Sequence, residues 1–302
     1  MVVDSFDHHF VEINTIRLHY VTNGSGPLIL FLHGFPEFWA AWDHQLAEFG
    51  RDHLAIAPDM RGFNLSDKPE DPEQYHIHTL IADVRALQDH LGHDRMTLVA
   101  HDWGGGVAWA YAHRHPERLN KLIIINSPHP AIFARELLQN PQQQQASQYM
   151  NFFRQPEAEQ ILSENNYIIL MDALSKWGDK WQINDTLRQS YIDAWSQPGA
   201  LTGGLNYYRA SPLHPATTPE EEHVLRQIAD LPPEKFTVPV PTLVLWAESD
   251  DALLTDNLNG LDRYIDDLTI HRIPDGTHWV IHEQPDLINE YIRSFLSTDE
   301  PF

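Results

Sequence analysis

Short apolar runs recur along this chain, and segments with the spacing of an amphipathic helix separate them. The clearest run covers residues 27–32, contains no charged or polar side chain, and therefore predicts a strand buried on both faces. Similar runs lie at 54–57, 96–100, 122–125 and 242–246, and helical spacing is seen at 75–91 and 105–113. This alternation predicts βαβ units and a doubly wound, mostly parallel sheet with ligands bound at the carboxyl ends of its strands.

Two regions depart from the alternation. Residues 10–14 and 16–22 flank a turn and predict an antiparallel hairpin. After residue 125 the pattern becomes helical and rich in aromatic residues, without a buried strand, until residue 240. We interpret this stretch as a helical cap inserted over the edge of the sheet. The expected division is a core at 1–129, a cap at 130–230 and a second part of the core at 231–302.

Two shorter segments of the insertion have distinctive compositions. Residues 217–241 are rich in proline and glutamate, which favours a return connection from the cap to the core. The four glutamines at 142–145 are too few for a low-complexity tract, and we expect them on an exposed turn of a cap helix.

Composition restricts the classes of partner and chemistry. Acidic residues outnumber basic ones 43 to 20, and the resulting charge of −23 opposes binding to nucleic acid or anionic membranes. The absence of cysteine excludes disulfides, thiolate metal sites and cysteine nucleophiles. No apolar run approaches the roughly 18 residues of a membrane span, and residues 1–7 lack the pattern of a secretory signal. We therefore expect a cytoplasmic protein.

A glycine-rich turn follows the predicted strand at 96–100. It contains His101, Asp102 and Trp103, and glycines 104–106 begin the next helix. In a G-x-S-x-G elbow the central residue is a nucleophile on a strained turn; here that residue is Asp102, and Ala100 replaces the first glycine. An aspartate that attacks a saturated carbon forms an ester that water can cleave, so the pattern predicts an epoxide or alkyl halide substrate. The alternative is that Asp102 only caps the helix.

Five segments together resemble the epoxide hydrolases of the α/β-hydrolase superfamily, along nearly the whole chain. They are His33-Gly34-Phe35-Pro36-Glu37, Asp59-Met60-Arg61-Gly62-Phe63, His101-Asp102-Trp103-Gly104-Gly105, Gly203-Gly204-Leu205-Asn206-Tyr207-Tyr208-Arg209 and Gly276-Thr277-His278-Trp279. The resemblance implies an α/β-hydrolase fold, with a mostly parallel sheet flanked by helices and an inserted helical cap. It also implies the opening of an epoxide to a vicinal diol through a covalent ester on Asp102.

The resemblance further implies a catalytic triad. His278 takes the place of the general base, and the family pattern selects Asp250 as its acid over the nearby Glu248 and Asp251. Some relatives place the acid after the preceding strand, but that position here is Asn126. The backbone amides of Phe35 and Trp103 are expected to form the oxyanion hole.

Two cap tyrosines, Tyr149 and Tyr208, are expected to bind and protonate the epoxide oxygen. Ordinary helix packing is the alternative for both, and Phe152 or Phe153 could instead align with the first. The same comparison places His33, Pro36 and Trp279 in the substrate pocket, with Pro36 in a cis peptide, while His33 could instead hold its loop and His101 is a packing residue. The expected partners are a small epoxide and water, with no metal or cofactor; a monomer and a homodimer are both open.

Other activities share part of this pattern. A haloalkane dehalogenase would use the same aspartate, histidine and Trp103, but the asparagine that one group uses as a second halide donor is Phe35 here. The cap tryptophans Trp177, Trp181 and Trp195 keep this alternative open. A fluoroacetate dehalogenase needs arginines at the positions of Trp103 and Gly106. A non-catalytic relative that binds a ligand in the inherited pocket is a third alternative.

Overall fold

Eight strands form one sheet with the order β1-β2-β4-β3-β5-β6-β7-β8. The structure is a computed structural model and describes residues 6–175, 181 and 183–297. The strands are β1 (Asp7–Ile13), β2 (Ile16–Asn23), β3 (Leu28–Leu32), β4 (Leu54–Pro58), β5 (Met96–His101), β6 (Leu119–Ile125), β7 (Thr242–Ala247) and β8 (Leu268–Ile273). The pairs β1/β2 and β2/β4 are antiparallel, and the other neighbours are parallel. The predicted mostly parallel sheet is confirmed.

The five apolar runs of the sequence become β3, β4, β5, β6 and β7. Every residue of β3, β5 and β7 is buried, as expected for strands covered by helices on both faces. The sequence patterns did not identify β8, because it is an edge strand of half-buried and polar residues. The predicted hairpin is β1/β2, whose two-residue loop at Asn14 and Thr15 has positive φ at both positions, as hairpin turns require.

Helices cover the sheet and form the long insertion between β6 and β7. They are α1 (Asp43–Phe49), α2 (Ile77–His90), α3 (Asp102–Arg114), α4 (Pro130–Gln139), α5 (Pro141–Ala146), α6 (Gln148–Phe153), α7 (Ala158–Ser175), α8 (Asp185–Trp195), α9 (Ala200–Ala210), α10 (Pro219–Ala229), α11 (Val280–Glu283) and α12 (Pro285–Leu296). Short 3-10 helices lie at Trp39–Trp42, Pro72–Tyr75, Pro116–Arg118, Pro233–Lys235, Thr255–Leu258 and Leu261–Arg263. Helix α7 is kinked at 164–167. Within the described ranges, none of the helices has both the length and the apolar character needed to cross a membrane.

Two expectations for the insertion were wrong. Residues 217–241 are not a simple connection, because they contain α10, which packs against α4. The start of α10 carries a capping box between Thr218 and Glu221, a signal that the proline and glutamate content obscured. The glutamine run is not uniformly exposed either, because Gln143 is completely buried.

Candidate active site

Asp102 lies at the junction of β5 and α3, at the carboxyl edge of the sheet. Its φ of +49° is in the left-handed region, as expected for the strained residue of an elbow. The turn tolerates little bulk around it. A Cβ at Gly34 would lie 2.0 Å from Asp102 Oδ1, and a Cβ at Gly104 would lie 2.3 Å from the carbonyl oxygen of Leu32. The glycines therefore allow the HGFP loop and α3 to close around the carboxylate.

Two backbone amides hydrogen-bond to this carboxylate. The N–H of Phe35 donates to Asp102 Oδ1 over 2.8 Å, and the N–H of Trp103 also hydrogen-bonds to the Asp102 side chain. Burial raises the pKa of Asp102, but the hydrogen bond and charge of His278 outweigh it and leave the pKa below its usual value. Asp102 is therefore ionised at neutral pH, and the two amides predicted for an oxyanion hole both face it.

His278 lies between two carboxylates. Its Nδ1 is 2.7 Å from Asp250 Oδ2, and its Nε2 is 3.6 Å from Asp102 Oδ2. Burial lowers the pKa of His278, but the charges and hydrogen bonds of Asp250 and Asp102 outweigh it and raise the pKa to about 10. The structure thus brings the three residues of the predicted triad together from the ends of β5, β7 and β8.

Asp250 is held by the loop that follows it as well as by His278. Its Oδ1 accepts the N–H groups of Ala252 and Leu253, at 2.8 and 3.0 Å. Asn126, which follows β6, donates its side-chain amide to Asp250 Oδ2 over 2.9 Å. Asn126 thus occupies the alternative acid position and supports Asp250. Burial raises the pKa of Asp250, but His278 and these donors outweigh it and lower the pKa below its usual value.

The two rejected acids point elsewhere. Glu248 forms an exposed ion pair with Arg272 at 2.9 Å, and Asp251 is exposed. Asp250 is therefore the carboxylate of this loop that contacts His278.

Tyr149 on α6 and Tyr208 on α9 belong to the inserted helices, and Tyr149 lines one cavity together with Asp102. Their ring centroids lie 6.2 Å apart, and Tyr208 packs edge-on against Trp103 at 5.1 Å. Burial raises the pKa of both hydroxyls well above the usual value, and the charge of Asp102 raises it further. Both tyrosines are therefore neutral hydrogen-bond donors near the carboxylate.

A cavity of about 560 Å³ opens beside Asp102, Trp103 and Tyr149. It lies against one side of α3 and extends between the sheet-bearing part of the chain and the inserted helices. Most of its lining is apolar and includes Ile81, Trp109, Phe133, Met150, Leu213 and Phe236. A mostly apolar cavity of this volume, with Asp102 as the one carboxylate in its lining, suits a small, mainly apolar molecule.

His33, Pro36 and Trp279, which we expected in the substrate pocket, are not among the residues that line this cavity. His33 is buried and holds its loop, because its Nδ1 bonds to the Gly34 carbonyl and its Nε2 accepts the N–H of Met60. The indole of Trp279 donates to the carbonyl of Ala173.

The Phe35–Pro36 peptide is cis, as expected from the resemblance. Two of the cap tryptophans make contacts near this loop. Trp195 donates its indole N–H to the Pro36 carbonyl, and Trp181 stacks on His282 at 4.0 Å between centroids. Trp177 lies outside the described residues.

A buried carboxylate behind His278 was not identified from the sequence. Glu37 accepts hydrogen bonds from Tyr191 at 2.9 Å and His282 at 2.5 Å, and its second oxygen is 3.6 Å from His101 Nδ1. His101 in turn donates its Nε2–H to the carbonyl of His278 over 2.8 Å. His101 is thus more than a packing residue. No local sequence pattern predicts this cluster, because its members lie far apart in the sequence.

Comparison with known proteins agrees with this geometry. The family model for the alpha/beta hydrolase fold matches residues 27–285. The chain is 36% identical to Epoxide hydrolase 4 of Mus musculus over 97% of this chain and 80% of that protein. It is 37% identical to the AB hydrolase superfamily protein YfhM of Bacillus subtilis over 97% of this chain and 99% of that protein.

Among solved structures, the fold is similar to that of an epoxide hydrolase from Bacillus megaterium in complex with an inhibitor. The TM-score is 0.89 at 36% identity, and the match covers 96% of this chain and 100% of that chain. The chain therefore belongs to the α/β-hydrolase-fold family and, within it, to the epoxide hydrolases.

Proposed function

We propose that this protein hydrolyses an epoxide to a vicinal diol, with Asp102 as the nucleophile. One observation carries the proposal: Asp102 lies 3.6 Å from His278 of the buried His278–Asp250 pair and lines the same cavity as Tyr149, whose ring centroid is 6.2 Å from that of Tyr208. A carboxylate nucleophile accounts for attack on a saturated carbon, and the tyrosines account for an oxygen that leaves as an alkoxide.

In the first step, a carboxylate oxygen of Asp102 attacks a ring carbon. Oδ1 accepts the N–H of Phe35 at 2.8 Å, whereas Oδ2 has His278 Nε2 at the longer distance of 3.6 Å, so we assign the attack to Oδ2. A carbon–oxygen ester bond forms and the ring carbon–oxygen bond breaks. The freed oxygen takes a proton from Tyr149 or Tyr208, and the product is a hydroxyalkyl ester of Asp102.

In the second step, His278 removes a proton from a water that attacks the ester carbonyl. Esterification removes the negative charge of Asp102, which is one of the causes that raise the pKa of His278 to about 10. The imidazolium therefore releases its proton more readily in the ester, and the neutral form that can accept a proton from water becomes more populated. The charge that develops on Oδ1 is stabilised by the N–H groups of Phe35 and Trp103. Collapse of the intermediate breaks the ester bond, and the departing diol oxygen takes the proton held by His278. The second proton of the water passes from Asp102 to the tyrosinate, which restores the Asp102 carboxylate and the tyrosine hydroxyl.

We infer that residues 130–230 act as a cap over residues 1–129 and 231–302. This inference is supported by the elements that carry the site residues. Asp102, Asp250 and His278 belong to the two parts of the chain that contain the sheet. Tyr149 and Tyr208 belong to the inserted helices. The substrate would lie between the two layers, in the cavity beside Asp102.

The other activities fit this site less well. Phe35 offers no side-chain donor for a halide, and the indole N–H groups of Trp195 and Trp279 are committed to backbone carbonyls. Trp103 and Gly106 provide no arginine for the carboxylate of fluoroacetate. A non-catalytic relative would have no need for a nucleophile, base and acid in contact.

The proposal is tested by incubating the purified protein separately with styrene oxide, a terminal alkyl bromide and fluoroacetate. We expect diol from styrene oxide, with little bromide or fluoride, and no diol from the matched variant Asp102→Asn. Bromide release without diol would overturn the assignment in favour of a dehalogenase. The absence of any product would favour a binding protein.

A further inference from the structure

Gln143 on α5 is completely buried, although it belongs to a run of four glutamines. Its side-chain amide makes four hydrogen bonds. The nitrogen donates to Ser147 Oγ and to the carbonyl of Ala252, both at 2.8 Å. The oxygen accepts the N–H of Leu254 at 3.0 Å and the side-chain amide of Asn257 at 2.8 Å. Both donors and both acceptor positions of the amide are therefore in use.

Two of these partners belong to the loop that holds Asp250. The peptide groups of Ala252 and Leu253 donate their N–H groups to Asp250 Oδ1, and Gln143 binds the carbonyl of Ala252 and the N–H of Leu254. The side chain of Gln143 thus pairs with this loop as a neighbouring strand would. It fixes the peptides that orient Asp250.

The hydrogen bond from Gln143 to Ser147 connects the same amide with the segment that carries Tyr149. Ser147, which accepts from Gln143, immediately precedes α6, and its carbonyl accepts the N–H of Met150 in the first turn of that helix. Tyr149 lies between these two residues. One buried amide therefore contacts both the segment that carries the cap tyrosine and the loop that carries the triad acid.

We propose that Gln143 is a positioning residue that sets the Asp250 loop against the α6 segment, and so aligns Asp250 with His278 and Tyr149 with Asp102. The inference rests on the proposed function. Only a primary amide offers two donors and two acceptors in this shape: methionine offers neither, and an ionised glutamate offers no donor for the Ala252 carbonyl. A displacement of the loop would therefore move Asp250 and change the orientation of His278, although Gln143 does not touch the reacting atoms.

The test is single-turnover kinetics with styrene oxide in the wild-type protein, Gln143→Met and the control Gln145→Met. Gln145 lies on the same helix but is exposed. Rapid quenching followed by intact mass measurement gives the rates at which the Asp102 ester forms and decays. We expect ester decay in Gln143→Met to slow by up to about 100-fold, as for other small misplacements of catalytic groups. The ester should therefore reach a higher fraction of the protein before it decays, and Gln145→Met should behave as wild type.

A role in stability alone predicts a different result. It would lower the melting temperature and the amount of active Gln143→Met protein, while the rate constants of the remaining active protein and its ester fraction stayed at wild-type values. That result would overturn the proposal.

Gln143→Glu provides a second measurement in case Gln143→Met does not fold. A protonated glutamate can donate to the carbonyl of Ala252 and still accept from Leu254, so the variant should be partly rescued at low pH. We expect its ester decay rate, relative to wild type, to rise as the pH falls. A relative rate that stays at the level of Gln143→Met at every pH contradicts the positioning role.

The two proposals fail in different ways. A wild-type protein that forms no diol and no ester would refute the proposed function itself. An active wild type with normal ester kinetics in both Gln143 variants would refute only the role of Gln143.

Discussion

The Nδ1 of His278 lies 2.7 Å from Oδ2 of Asp250, and both side chains are buried. Because the ionised carboxylate only accepts, Nδ1 carries the hydrogen and Nε2 is the nitrogen that faces Asp102. This pairing defines which nitrogen of His278 is available to water.

Replacement of His278 by glutamine should separate the two chemical steps. Asp102 remains free to attack, but water is no longer activated, so the hydroxyalkyl ester should accumulate. Intact mass spectrometry after addition of styrene oxide should show the protein mass plus one epoxide. The exposed His223→Gln variant is the control and should show turnover without an adduct. If wild type forms diol and His278→Gln never shows the adduct, the covalent route is excluded.

Removal of the Tyr208 hydroxyl should slow ring opening rather than ester hydrolysis. General acid catalysis contributes about 10²- to 10⁴-fold, and Tyr149 should retain part of it in the Tyr208→Phe variant. The measurement is the rate of ester formation in a single turnover, with the double variant Tyr149→Phe, Tyr208→Phe expected to be slowest. Tyr111→Phe is the control, since its buried hydroxyl bonds to Gln88 in the core. An unchanged rate in Tyr208→Phe would remove it as an acid.

The charge of His278 should also make a pH-dependent contribution to stability. A raised pKa stabilises the fold fully below the unfolded value of about 6.5, and this stabilisation is lost as the pH rises through the native value of about 10. The free energy of unfolding of wild type relative to His278→Gln should thus fall by about 1.4 kcal/mol per pH unit in this window. Urea unfolding at several pH values provides the measurement. A difference in unfolding free energy between wild type and His278→Gln that grows with pH would contradict the predicted direction of this dependence.

The buried ion pair of Arg61 and Asp83 should be important for folding. The guanidinium contacts both carboxylate oxygens at 2.7 Å, and the side chains are only 1% and 7% exposed. Asp83→Leu leaves an unpaired buried cation, so we expect a loss of about 3–5 kcal/mol in urea unfolding. Glu222→Gln, which breaks an exposed pair with Arg226, should cost less than about 1 kcal/mol. Equal losses of unfolding free energy in the two variants would show that burial does not determine how much an ion pair contributes to stability.

The sequence by itself determined the sheet strands from β3 to β7, the hairpin, the insertion and the turn at Asp102. These features are local: apolar runs identify buried strands, and glycines beside an aspartate identify a strained turn. The resemblance to epoxide hydrolases, carried by the order of these motifs, predicted that Asp102, Asp250 and His278 would meet, which they do.

Only the tertiary structure decided what surrounds those residues. The cavity lining, the buried Glu37 cluster, the support of Asp250 by Asn126 and the burial of Gln143 all depend on how the inserted helices pack against the sheet. The last three each include a hydrogen bond between residues more than 100 positions apart, and no local periodicity encodes such contacts. The physical reason is that a polar side chain is solvated in isolation, and becomes a buried, fully bonded support only when packing brings its partners to it.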